Sequence, residues 1–141
     1  MNEALKNLVR SRAGQRCEYC RLHQLHSPFA TFHVEHIRAI QHGGNDGVEN
    51  LALACDRCNA FKGPNLTGID VETGRIEPLF NPRVDSWRDH FRFDGSLIVP
   101  LTAVGRATVE TLNMNHEQRV VLRQRLIDND EFDASDELDR G

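Results

Sequence analysis

The chain has 141 residues, 39% of them hydrophobic and 27% charged, which is the composition of an ordinary soluble domain with at most a small appendage. Its apolar runs, such as 51–55 and 97–99, fall far short of the roughly 20 residues that a helical bilayer span requires, so no membrane-spanning helix is expected. The net charge of −4 speaks against a nucleic-acid partner only until its distribution is read. Residues 1–64 hold eight basic against six acidic side chains plus five histidines, 65–127 are balanced, and 128–141 hold seven acids against Arg140. A mildly basic body with an acidic tail remains compatible with binding a polyanion. The first residues lack the apolar core and cleavage site of a secretory signal, which predicts a cytoplasmic protein.

In chain order, Ala4, Leu5, Leu8, Val9 and Arg12 recur at helical spacing and predict an amphipathic helix stopped at Gly14. Cys17 and Cys20 follow, then a polar loop at 21–30 in which His23 and His26 read as exposed side chains rather than needed ligands. Residues 31–37 alternate β-branched and aromatic residues with polar ones and predict a strand. A loop marked by Gly43-Gly44-Asn45-Asp46-Gly47 leads to a returning strand at 50–54. Asp56 is placed to cap a short helix that Gly63-Pro64 ends after Lys62.

Past Pro64, residues 70–75 read as a turn, and 91–99 as a hairpin folded at Asp94-Gly95. Thr102 is placed to cap a helix to about Leu112, and Asn115 with Gln118 forms a capping box for a second one. Trp87, His90 and Phe91 are expected to pack this C-terminal part, and the acidic end from Asn129 to Gly141 to be disordered. The predicted organisation is a core at 1–66, a hairpin and helical extension packed on it at 67–128, and the tail at 129–141.

Two tight Cys-x2-Cys knuckles, Cys17/Cys20 and Cys55/Cys58, lie 34 residues apart. Together they complete a tetrahedral set of four sulfurs for Zn2+, a closed site whose job is structural. A core this small needs such a staple. The pair Glu35-His36 offers different chemistry. Glu35 and the amide oxygen of Asn59 could hold one Mg2+ or Mn2+, leaving room for waters and a phosphate oxygen. His36, with an ordinary pKa near ~6.5, can deprotonate a water at neutral pH. Hydrolysis of a phosphodiester needs those two elements.

The order Val34-Glu35-His36-Ile37, Gly43-Gly44, Glu49-Asn50-Leu51, then Cys55-x2-Cys58-Asn59-x2-Lys62-Gly63 resembles the HNH endonuclease family over roughly residues 10–66. That resemblance implies an α+β fold: a zinc-stapled ββα-metal (His-Me) finger, here with an N-terminal helix and a C-terminal hairpin plus two helices. It implies His36 as general base, Glu35 and Asn59 as ligands of the catalytic metal, Asn50 as the residue that pins the loop between the strands, and the four cysteines as the zinc site. The family more often carries Asp at the position of Glu35. His33, Arg38, His42, Arg57 and Lys62 are candidates for the site or for phosphate contacts. The expected activity is metal-dependent hydrolysis of DNA. The alternative is a zinc-dependent nucleic-acid-binding module without catalysis, and composition leaves the oligomeric state undetermined.

Overall fold

The computed structural model describes residues 1–132, which divide into two compact units. Unit 1 comprises Met1–Leu66 with the short segment Asn81–Val84; unit 2 comprises Thr67–Phe80 and the chain from Asp85 onward. Residues 133–141, most of the acidic tail, lie outside the described residues. The family of folds is the expected one: small, α+β, built on short antiparallel strand pairs and helices around a four-cysteine cluster.

In unit 1, α1 (Glu3–Arg12) starts where the Asn2 side chain accepts the amide of Leu5. Its last turn is tied down by Arg12, which donates to the carbonyls of Val48 (2.9 Å) and Leu51 (2.7 Å). Strands β1 (His33–His36) and β2 (Leu51–Ala54) pair antiparallel, with His33 opposite Ala54 and His36 opposite Leu51. All four residues of β2 are buried, so this strand is the spine of the unit, with Val9, Leu22 and Phe32 around it. Helix α2 (Asp56–Lys62) leaves β2 directly. Its cap is Cys55, whose sulfur accepts the Cys58 amide, rather than the expected Asp56. A cysteine placed to ligate a metal is already at the turn and fills that role first.

The β1–β2 loop depends on two glycines. Gly43 ends a 3-10 turn with φ +85°, a left-handed conformation that glycine adopts without steric cost. At Gly44 a Cβ would lie 1.7 Å from the carbonyl oxygen of Arg38, so no other residue fits.

Unit 2 contains two further hairpins. The turn expected at 70–75 joins β3 (Thr67–Ile69) to β4 (Ile76–Pro78), strands too short to be read from alternation. After the one-turn helix α3 (Trp87–His90), strands β5 (Phe91–Asp94) and β6 (Leu97–Pro100) pair as expected. Helix α4 (Ala103–Thr111) is capped by Thr102, which accepts from Gly105 (3.0 Å). Helix α5 (Glu117–Asp128) is capped by His116, not by the predicted Asn115. Asn115 is taken up elsewhere: its side chain bonds both backbone groups of Ile98 and accepts from the buried Arg123. Trp87 lies 5.1 Å from the rings of both Phe91 and Phe93, and Phe93 meets the buried Phe132 edge-on. The chain is thus packed down at Phe132, inside the stretch expected to be disordered.

The buried Asp70 accepts two hydrogen bonds from Arg106 (2.8 and 2.9 Å), one from the Glu72 amide and one from Thr73. These partners, Arg106 foremost, hold its carboxyl well below the usual aspartate range. A carboxyl depressed by folding contributes stability that is present above its unfolded pKa of ~3.9 and is lost as pH falls below it. Asp70→Asn is therefore expected to lower the urea midpoint at pH 7, with the difference from wild type shrinking as pH drops from about 4 toward 2.

Candidate active site

Cys17 and Cys20 bracket a tight turn ahead of the loop, while Cys55 and Cys58 bracket the start of α2. All four are buried, none forms a disulfide, and their sulfurs lie within 4.8 Å of one another. Cys20 and Cys55 Sγ are 3.7 Å apart, against an S···S edge of roughly 3.8 Å for a tetrahedron with Zn–S bonds of ~2.3 Å. In each knuckle the second cysteine's amide donates to the first one's sulfur at 3.4 Å, a bond that favours thiolate. Four thiolates cannot share one buried site without a cation. Geometry and chemistry both fit a structural zinc ion, and neither leaves an open position for substrate.

The two residues inside the first knuckle turn outward from the cluster and were not singled out by sequence. Glu18 accepts the Leu53 amide (2.8 Å) and an ion pair from Arg83, which attaches the segment Asn81–Val84 to this unit. Tyr19 is buried and donates its hydroxyl to Glu35 Oε1. Lys62 Nζ donates to the other oxygen, Oε2, at 3.1 Å, and to the carbonyls of His36 (3.2 Å) and Ile37 (2.9 Å). Lys62 is 2% exposed and corrects the expectation of a phosphate contact. Its ammonium is consumed by a carboxylate and two carbonyls inside the unit, because a buried cation must be paired there.

Burial pushes the Glu35 carboxyl above its usual range, opposed first by the charge of Lys62 and then by the bond from Tyr19. Burial, reinforced by the Glu35 charge, pushes the Tyr19 phenol well up, which keeps it a donor. The sequence signal for this triad was slight: a tyrosine between two cysteines, and a lysine three residues after Asn59.

An open pocket of about 330 Å³ lies against β1 and α2 and is lined by His33, Glu35, His36, Asn59, Gly63 and Pro64. His33 and Glu35 both line this pocket, as do Val34 and His36, and His33 is exposed while Glu35 is covered. Asn59 is half-buried on the first turns of α2. The His36 ring is half-buried, and its Nε2 is 2.7 Å from Oδ1 of Asp46, a loop residue read from sequence only as part of a turn. That bond holds the Asp46 carboxyl below its usual range.

Asn50 accepts from the Arg38 amide (2.9 Å) and donates to the carbonyls of Arg38 (3.0 Å) and Asn45 (2.8 Å), clamping the two ends of the loop. Arg38 and His42 are exposed on that loop, and Arg57 lies 5.9 Å from the Phe61 ring. One carboxylate, one amide oxygen and imidazoles around open solvent suit a hard divalent ion that keeps several waters. Each Glu35 oxygen carries one donor here and has a second lone pair to offer. The residues fit such an ion.

Metal analysis of purified protein is expected to return about one zinc per chain. Cys58→Ser is expected to lose it together with the melting transition of unit 1, since metal binding and folding are coupled in small domains. A zinc-free protein that stays folded contradicts this.

Residues 17–64 match the family model described as HNH endonuclease. Septu protein PtuB of Bacillus thuringiensis is 28% identical over 117 residues, which cover 82% of this chain and 42% of that protein. The chain thus spans about two fifths of the length of this curated relative. No solved structure matches. No helix among the described residues is long and apolar enough to cross a membrane. The matched stretch holds the strand–loop–strand–helix unit and the four clustered cysteines, and residues 17–64 are an HNH endonuclease domain by the family model.

Proposed function

We propose that this chain hydrolyses phosphodiester bonds in DNA with the aid of one divalent metal ion. The observation that carries this reading is the pocket in which His33, Glu35, His36 and Asn59 converge on open solvent, on a backbone held by the four-cysteine cluster. A binding module has no need for a covered carboxylate and a directed imidazole side by side. Four unpaired thiols also fit a reducing, cytoplasmic setting.

In this reading His36 is the general base. Its imidazole accepts a proton from the water that attacks phosphorus in line with the departing 3′ oxygen. Glu35 and Asn59 would hold a Mg2+ or Mn2+ ion, which supplies charge stabilisation to the phosphate and the leaving oxygen. Tyr19 and Lys62 keep the Glu35 carboxylate ionised and aimed although it is 93% covered, being 7% exposed. Asn50 keeps the loop from collapsing into the pocket. Arg38, His42 and Arg57 are assigned to backbone phosphates, contacts that bind without reading sequence.

His36→Ala is expected to lower plasmid cleavage in Mg2+ or Mn2+ on the order of 10²- to 10⁴-fold, with zinc content and DNA binding retained. A mutant that cuts at the wild-type rate removes His36 as base. A wild type that binds DNA but cuts in none of these buffers identifies the domain as a binding module.

Tyr19→Phe keeps the ring in place and removes only the donor to Glu35. It is expected to raise the Mn2+ concentration needed for half-maximal cleavage while zinc content stays at one per chain. An unchanged metal requirement would detach Tyr19 from the site.

A further inference from the structure

We infer that Asp46 is the positioning residue for His36: it holds the imidazole in the form protonated on Nε2, so that Nδ1 is the nitrogen that takes the proton from water. The inference rests on the base role proposed for His36. An ionised carboxylate can only accept hydrogen bonds, so the Nε2–Oδ1 contact of 2.7 Å requires the hydrogen on Nε2 whenever the ring is neutral. In a neutral imidazole one nitrogen is donor and the other acceptor. The contact therefore assigns the free lone pair to Nδ1 and sets the rotation of the ring at the same time.

Asp46 is 54% exposed, and an exposed side chain on a flexible loop would not orient anything. This loop is not left free. On one side of Asp46 the carbonyl of Asn45 receives the Asn50 amide group (2.8 Å). On the other, the Gly47 amide donates to Asn45 Oδ1 (2.8 Å) and the Gly47 carbonyl accepts from the Asn50 amide (2.9 Å). Further back, Gly44 bonds Ala39 (3.0 Å) and the close approach of Gly44 to Arg38 leaves the chain no slack. The residue before Asp46 and the residue after it are both fixed by Asn50. The second oxygen of Asp46 lies 3.9 Å from the α-amino group of Met1, the other charge that faces it. Asn50 thus acts on the pocket through Asp46: it fixes the loop, the loop places the carboxylate, and the carboxylate aims the base.

The test uses zinc-loaded protein with 15N-labelled histidine. The His36 signals are identified among the seven histidines by their loss in His36→Ala. Long-range 1H–15N spectra taken above the histidine transition show which nitrogen carries the hydrogen. Wild type is expected to show Nε2–H. Asp46→Ala is expected to give a mixture of both forms, as is Asp46→Asn, whose amide can accept or donate and no longer selects. In cleavage assays both variants should lose about 10- to 100-fold in kcat with little change in KM, as removal of an outer partner of a functional imidazole does. Asp46→Glu, which restores a carboxylate, should recover part of that loss.

An Nδ1–H form in wild type overturns the inference. So does an unchanged tautomer and kcat in Asp46→Ala. If Asp46→Ala redistributes the tautomers while His36→Ala still cuts at the wild-type rate, the orienting contact stands and the base role fails, which separates the two.

Discussion

The convergence of four thiols in one buried site is the constraint from which the rest of unit 1 follows. The cluster joins a turn after α1 to the junction of β2 and α2, segments separated by 34 residues of chain. A hydrophobic core of this size supplies little stability by itself, so the cross-link determines whether β2 and α2 keep their relative placement. The cluster also fixes the residues inside its first knuckle. Glu18 faces β2 and Arg83, and Tyr19 faces Glu35. The knuckle is both a staple and, through Tyr19, a support for Glu35 in the pocket wall.

The buried triad Tyr19–Glu35–Lys62 shows how the pocket keeps a charged carboxylate under cover. Desolvation pushes the Glu35 carboxyl above its usual range. Lys62 returns the lost charge interaction, and the phenol of Tyr19 returns one hydrogen bond. The family more often places Asp at this position. In Glu35 one oxygen meets Tyr19 from the knuckle while the other meets Lys62 from the end of α2. Asn59 and Lys62 are one helical turn apart and share a face of α2, so a seven-residue helix supplies both the side chain at the pocket and the cation beneath it.

The loop between the strands carries the complementary task. It begins just after His36 and returns to β2 through Asn50, whose three hydrogen bonds replace the strand pairing that the loop interrupts. Backbone groups that leave the strand ladder need other partners, and one amide side chain supplies them on Arg38 and Asn45. Asp46 rides on that fixed segment.

Sequence alone determined the features that local chemistry decides. The two Cys-x2-Cys pairs, the Glu35-His36 strand, the glycines of its loop, α1, α2, the β5–β6 hairpin and the Thr102 cap are legible because each depends on neighbours within a few residues. What only the tertiary structure decided is which way the charged residues turn. Lys62 reads as a candidate phosphate contact until the carbonyls of His36 and Ile37, some 25 residues earlier, are brought against it. Tyr19 is not singled out by sequence until the fold sets it against Glu35, and Asp46 reads as a loop residue until the loop folds it onto His36. Asn115 reads as a helix cap until Ile98 and Arg123 claim its side chain. In each case a polar side chain took a partner that lies outside its own local segment. Local propensity carries no information about such pairs; the packing that removes water from them does.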